Sequence, residues 1–381
     1  MKILVLTKRQ YMAKDLLDDR FGRFRELPLG LARLGHEVRG LALSYRPRPE
    51  GLFVDEGGSP VERVQWTSVN LLRGYMPQPE KYLRRARELS REFAPDVIWA
   101  CSDAYHAIFG NGLARSAGIR CVIDLYDHFE AFAASRVPGI LPLFRRAVLN
   151  ADGVTVFSDR LANYVAKNYA RTKPTTVIQN GVREDLFRPR DKKTCRQSFG
   201  LPEDAKIIGT AGALEPGRSI GTLFEAFRTL SAHSDNIHLA LAGPRPDGLA
   251  IPCGSRVHDY GELRHEEVAT LLNALDVAVV CYRPSAQGEV SLPQKVYEIV
   301  ACRVPLVAAA VGSMNELLKD YPACLYEPDH PTSLADAIRG QLDLPAIVET
   351  PMPSWSDSAK RLSDFFHRIV EDHASSANIL S

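Results

Sequence analysis

Short, continuously apolar, β-branched runs recur along this chain, with helical patterns between them. A run without polar alternation fits a strand covered on both faces, and helices between such strands fit right-handed crossovers in a parallel sheet. The first series is KILVLT (2–7), EVRGLAL (37–43), DVIWAC (96–101), CVIDLY (121–126), GVTVF (153–157) and TTVIQN (175–180). The second is KIIGTAG (206–212), IHLALAG (237–243), VHDYG (257–261), VAVVCY (277–282) and PLVAAA (305–310). Between them, residues 186–205 are rich in charge, Pro and Gly and read as a surface linker. The pattern predicts an α/β chain: one Rossmann-like domain over 1–185, the linker 186–205, and a second Rossmann-like domain over 206–355. Leu362, Phe365, Phe366 and Ile369 stand at helical spacing after Ser354 or Ser356 as N-cap, which predicts a closing helix within 356–381 that returns to the first domain. Ligands of open parallel sheets sit beyond the carboxyl ends of the strands, so two such halves are expected to face an interdomain cleft.

Composition serves mainly to exclude. At 381 residues, 45% hydrophobic and 24% charged, the chain has room for two cores and does not read as disordered, collagenous or coiled-coil. A net charge of +1 argues against a dedicated nucleic-acid binder. That balance hides a split: residues 1–185 hold 28 Lys and Arg against 21 Asp and Glu, and residues 186–381 hold 19 against 25. Seven scattered cysteines form no C-x-x-C pair, so neither a zinc site nor a dithiol redox site is expected. Several lie in apolar runs and read as buried thiols of a reducing, cytoplasmic compartment. MKILVLTKRQ enters a strand pattern at once and is too short an apolar run for a signal segment. The longest apolar stretches, such as 304–311, fall far short of a membrane span.

GALEPGRS (212–219) nearly matches the phosphate-loop pattern G-x-x-x-x-G-K-[ST], but Arg218 stands where a compact lysine ammonium is needed. GNGLAR (110–115) is a broken G-x-G-x-x-G that follows a helical pattern rather than a strand, so no dinucleotide site is expected there. The segment GEVSLPQKVYEIVACRVPLVAA (288–309) says more. Pro293 fits a first helical position, with Ser291 or Leu292 as cap, and the helix would run to Cys302. Its first turns carry Lys295 and Glu298, three residues apart. A helix N-terminus after a parallel strand is suited to a diphosphate, and a carboxylate one turn in can accept hydrogen bonds from ribose hydroxyls. The plain alternative is an ion pair on a solvated helix face.

Taken in order, these pieces resemble the retaining glycosyltransferases of family 4, of the GT-B fold. The resemblance begins with GRFRELPLGLARLGHEV (22–38) and continues through PDVIWA (95–100), DLYDHFE (124–130), ADGVTVFSDRLANYV (151–165) and VIQNGVREDLFRP (177–189). It then takes in GALEPGRSIGTLFEAF (212–227), YGELRHEEVATLLNALDVAVVCY (260–282) and LPQKVYEIVACRVPLVAA (292–309). Each piece alone is weak, but their order and spacing are specific. The resemblance implies an acceptor-binding N-terminal domain and a C-terminal domain that binds a nucleotide-sugar donor as substrate, with no further cofactor. It places Gly22 on a loop that meets the donor phosphate and the acceptor. It puts Gly212 in the glycine turn before the donor-phosphate cation Arg218. Gly288, Glu289, Val290, Ser291 and Leu292 fall on the loop above sugar and phosphates, Lys295 at the diphosphate, and Glu298 at the ribose. Arg218 and Lys295 would stabilise charge gathering on the leaving diphosphate, the role that differential transition-state binding demands. No D-x-D metal motif is present, and a metal-independent reaction is expected. Retention by front-face displacement, with the leaving phosphate taking the acceptor proton, is implied by the resemblance alone.

The chain also departs from the family. Many members have a glutamate eight positions before the ribose carboxylate. That position here is Val290, with Glu289 one residue off. The arginine that often follows the glycine turn is Ala213, and the family's histidine near the end of CVIDLY is Tyr126, followed by Asp127 and His128. Glu289 remains the expected donor-sugar contact. Tyr126, Asp127 and His128 are the expected acceptor contacts, with loop capping the alternative for Asp127. His106 is weighed between an acceptor contact and a helix-face residue. PGILPLFRRAVL (138–149) and KYLRRARELSREF (81–93) combine apolar and basic residues, as surfaces that rest on anionic lipid do, and as ordinary half-buried helices also do. The expected activity is transfer of a sugar from a UDP-sugar or GDP-sugar to a glycan or lipid-linked acceptor in bacterial surface polysaccharide or glycolipid synthesis, at or near the inner face of the membrane. A nucleotide-sugar epimerase on the same fold and a non-catalytic glycan- or nucleotide-binding domain are the alternatives.

Overall fold

The computed structural model describes residues 1–381 apart from 12–13, 59–60, 75, 132–136, 170, 286–291 and 378–381. The chain forms two compact units: Met1–Gly181 with Trp355–Ser381, and Val182–Ser354.

The first unit is built on an eight-stranded sheet in the order Thr175–Val177, Gly153–Val156, Arg120–Leu125, Val97–Ala100, Lys2–Lys8, Glu37–Ser44, Arg63–Asn70 and Gly51–Glu56. All neighbours are parallel except the last strand, which runs antiparallel at the edge. Ile3, Leu4, Val5 and Leu6 have no exposed surface, as expected of a strand with protein on both faces. The order reverses between Lys2–Lys8 and Val97–Ala100, which makes the carboxyl end of that pair the natural place for a ligand. The helix Trp355–Ala377 packs in this unit against the helix Arg23–Arg33, with Leu362, Phe365 and Phe366 buried in the core.

The second unit holds a six-stranded, wholly parallel sheet: Val257–Asp259, Ile237–Ala242, Lys206–Ala211, Val277–Val280, Leu306–Ala309 and Leu325–Tyr326. Here the order reverses between Lys206–Ala211 and Val277–Val280. A bridge between Val182 and Ser354 closes the unit where the chain enters and leaves it.

Residues 186–205 are not a linker. They pack on the second unit through Phe187, Cys195 and Leu201, all buried in its core. The helix Lys192–Ser198 is capped by Asp191, which accepts from the Thr194 amide at 2.8 Å, and Arg196 binds Asp276 at 2.6 Å. The apolar anchors are spaced singly among charges, which hides them from a reading of composition. The sequence does not mark the strands Arg63–Asn70 and Gly51–Glu56 for a different reason: one alternates buried and part-buried residues, and the other is a mostly exposed edge. No helix among the described residues is long and apolar enough to cross a membrane.

Candidate donor and acceptor sites

In the second unit the expected donor residues gather at the carboxyl ends of the two central strands. Strand Lys206–Ala211 ends in Gly212, whose φ of +119° suits glycine, and a Cβ there would lie 3.1 Å from Cε of Lys295. The Lys295 ammonium reaches back over this turn to Oγ1 of Thr210 at 3.5 Å. Lys295 keeps some exposed surface, yet protein crowds its ammonium. Burial, then the neighbouring Arg218 charge, push it down to about 8. Arg218 ends the short turn Pro216–Arg218 and touches Glu215 at 3.3 Å across a half-exposed surface. Among the described residues, no carboxylate lies within ion-pair distance of Lys295. Two cations held beside one another, one of them crowded by protein and with no carboxylate partner among the described residues, have the electrostatics that suit an anion.

The helix carrying Lys295 runs Gln294–Ala301, one residue shorter at each end than expected. Pro293 is extended (φ −60°, ψ 133°), so it is itself the cap rather than the first helical residue. Pro293 itself makes no side-chain cap hydrogen bond, and the helix dipole makes this N-terminus locally positive. Leu292 is half-buried just before it. Gly288, Glu289, Val290 and Ser291 lie outside the described residues. Glu298, one turn along, is buried, with Oε1 3.2 Å from Nε2 of His265, so the imidazole donates to the carboxylate. The His265 ring rests 4.8 Å from that of Phe187. Ser219, which follows Arg218 in the left-handed region (φ +59°), donates to Asp329, and Asp329 also takes the Arg283 guanidinium at 3.2 Å.

In the first unit, Gly22 (φ +90°) precedes the helix Arg23–Arg33, and a Cβ there would meet the Tyr11 ring at 2.7 Å. The helix is anchored at this end by Arg23, which is fully buried and binds Asp124 at 2.8 Å and the carbonyl of Ile178 at 2.7 Å. Asp124 also accepts from Thr155 at 2.5 Å. Tyr126 is half-buried and takes a hydrogen bond from Nζ of Lys8 at 3.0 Å. Burial lowers the Lys8 ammonium from its ordinary range, against the opposing pull of Asp103 and Asp127. Asp127 caps its own loop, accepting from the His128 amide at 2.8 Å. The His128 ring lies edge-on to Tyr164 at 4.5 Å, and neither of its buried nitrogens has a hydrogen-bond partner among the described residues.

His106 sits on the helix Ala104–Ala117, 1% exposed, with Nδ1 2.7 Å from Asp103 and its ring against Tyr82. The helix-face alternative describes it. Buried this deeply, it presents no surface to an acceptor. Asp103 caps the same helix by accepting from the His106 amide at 2.9 Å, and it also takes the Tyr45 hydroxyl. Lys8 and His265 were overlooked in the sequence. A lysine closing the apolar run KILVLT was the available signal for the first. Nothing local marks the second, since its partner is 33 residues away.

A sequence profile described as "Glycosyl transferase 4-like domain" matches residues 23–181, and one described as "Glycosyl transferases group 1" matches 205–343. Together they cover most of both units. The chain belongs to the family 4, group 1 glycosyltransferases, of the GT-B fold. The chain is 27% identical over 249 residues to D-inositol 3-phosphate glycosyltransferase 2 of Catenulispora acidiphila, across 58% of this chain and 57% of that protein. It is 26% identical over 251 residues to D-inositol 3-phosphate glycosyltransferase of Mycobacterium avium, across 60% and 56%. It thus spans less than two thirds of the length of the curated relatives it matches. Among solved structures, sucrose-phosphate synthase of Thermosynechococcus elongatus superposes with a TM-score of 0.69 at 20% identity, covering 100% of this chain and 98% of that one. Anabaena HepE in complex with UDP-glucose does so with a TM-score of 0.66 at 16% identity, covering 99% of each. At such identities the likeness shows the fold.

Proposed function

We propose that this glycosyltransferase moves a sugar, with retention and without a metal, from a nucleoside-diphosphate sugar to a glycan or lipid-linked acceptor. The observation that carries the reading is the pair Arg218 and Lys295, the latter on the first turn of the helix Gln294–Ala301, a concentration of positive charge that suits a diphosphate. As the glycosidic bond breaks, negative charge collects on the leaving phosphate oxygens. Those donors are in place beforehand and gain most in the transition state. Glu298, held by His265, suits the ribose hydroxyls. Gly22 is the proposed donor-phosphate and acceptor loop, and Lys8, Tyr126 and Asp127 are the proposed acceptor contacts. Retention by front-face displacement rests on family membership.

A UDP-sugar is the favoured donor and a GDP-sugar the alternative. HepE has been crystallised with UDP-glucose, which supports uridine. The first unit has a basic excess, and its helix Ile140–Asn150 exposes Leu143, Leu149, Arg145 and Arg146. This supports peripheral contact with an anionic membrane surface, as would suit a cytoplasmic enzyme of bacterial polysaccharide or glycolipid synthesis.

Thermal-shift screening with UDP, GDP and ATP, followed by donor hydrolysis in EDTA, tests the core of the proposal. Stabilisation by UDP or GDP with metal-free donor turnover is expected. Stabilisation by ATP alone would refute it, and interconversion of the free nucleotide sugar would assign the epimerase reading instead. The anomeric configuration of the product, read by NMR coupling constants, tests retention.

A further inference from the structure

Glu298 does not meet its ligand alone. It lies on the helix Gln294–Ala301 and is 7% exposed. Its Oε1 is 3.2 Å from Nε2 of His265, the first residue of the helix His265–Ala274. A carboxylate only accepts, so His265 must carry its proton on Nε2. The imidazole is itself held from the other side, its ring tilted 60° against Phe187 at 4.8 Å. Phe187 is 2% exposed and belongs to the core of this unit. Among the described residues no second hydrogen bond to the Glu298 carboxylate is present, so one oxygen is committed to His265 and the other is available.

We infer that His265 is a positioning residue for nucleotide binding: it fixes the rotamer of Glu298 so that the uncommitted carboxylate oxygen faces the 2′- and 3′-hydroxyls of the ribose. The inference rests on the reading of Glu298 as the ribose contact. A buried carboxylate without this partner would have to be ordered by the ligand itself, at a cost in affinity. The effect passes through the hydroxyl hydrogen bonds and not through the base or the diphosphate. Removing the hydroxyls therefore removes the contribution of His265. A merely structural role for His265 would not discriminate in this way.

The test is a cycle of protein and ligand changes read by titration calorimetry, with UDP and 2′,3′-dideoxy-UDP, or the guanosine pair where GDP binds more tightly. Wild type is expected to bind the ribose form about ten-fold or more tightly than the dideoxy form, the scale of lost charged hydrogen bonds. His265→Ala is expected to lose about five- to ten-fold in affinity for the ribose form and less than two-fold for the dideoxy form. His265→Gln, whose amide can donate from the same side, is expected to recover most of the loss. Equal weakening of both ligands by His265→Ala, or no weakening of either, overturns the inference. Failure of the underlying reading looks different: wild type would not discriminate between the two ligands, or Glu298→Ala would leave the discrimination intact. If neither diphosphate binds wild type, both readings fall together.

Discussion

The state of Lys295 makes a prediction about pH that can be worked through. Its ammonium titrates at about 8, pushed down first by burial and then by Arg218. The free protein then carries the charge on about nine-tenths of molecules at pH 7 and about one-tenth at pH 9. An incoming diphosphate favours the charged form, so above pH 8 each binding event must bring a proton with it. Apparent affinity for a nucleoside diphosphate should fall about 25-fold between pH 7.5 and 9.5, and proton uptake per ligand should rise toward one over the same window. The diphosphate itself is fully ionised there, and the neighbouring Cys281 thiol is pushed up to about 11 by burial, so neither confuses the reading. Calorimetry in buffers of different ionisation enthalpy counts the protons. Lys295→Arg should bind without the pH slope, because a guanidinium stays charged throughout. Lys295→Met should lose diphosphate binding yet gain stability. A folded-state value below the unfolded one of 10.5 costs stability below about pH 8, and that cost disappears as pH rises toward 10.5. The full shift would correspond to about 3 kcal/mol, and because the side chain keeps some contact with water the gain at pH 7 should be about 1–2 kcal/mol. A flat affinity between pH 7.5 and 9.5 with no proton uptake, or a Lys295→Met protein less stable than wild type at pH 7, would refute the placement of this charge.

Three further outcomes follow from the first unit. Asp124→Ala strands the buried Arg23 guanidinium and should destabilise this unit by about 3–5 kcal/mol in denaturant unfolding, with Asp124→Asn milder because it keeps a hydrogen-bond acceptor. Gly22→Ala forces an L side chain to φ +90° and drives its methyl into the Tyr11 ring, so it should cost about 1–3 kcal/mol, and proteolysis should report loosening at the start of helix Arg23–Arg33. His36, bonded to Ser363 of the closing helix at 2.7 Å, is lowered to about 4 by burial, the N-terminal ammonium and His367. Because the folded value lies below the unfolded one, stability should fall as pH drops from about 6.5 toward 4. Hydrogen exchange over residues 355–371 should rise in that window and become insensitive to pH in His36→Asn.

Continuous apolar runs dictated most of this architecture, since a strand covered on both faces leaves no room for polar alternation. KILVLT and VAVVCY are unmistakable for that reason, and they carry both reversal points of the sheets. The placement of Arg218 on a turn and of Lys295 and Glu298 on the first turns of a helix was legible too, because a turn, a helix start and an i,i+3 spacing are local. Whether Lys295 and Glu298 pair with each other was not legible. That turned on Lys295 reaching back to Thr210 while Glu298 turned to His265, two contacts made by residues 85 and 33 positions away. The alternation in RVQWTSVN and the isolated anchors Phe187, Cys195 and Leu201 gave no periodic signal strong enough to read. Only the packing of a neighbouring strand or core shows that those residues are buried.

By itself, the sequence determined the class of fold, the two sheets and the short segments that bear the charge. Hydrophobic periodicity and helix-start chemistry are properties of neighbouring residues and survive without a third dimension. The tertiary structure decided which charges are paired and with what. It placed Asp124 against Arg23, His265 against Glu298 and Arg218 beside Lys295, and it enclosed His106 out of reach of any acceptor. Electrostatic and hydrogen-bond energies depend on distance and burial, and in a parallel α/β chain the residues that set both come from separate crossovers.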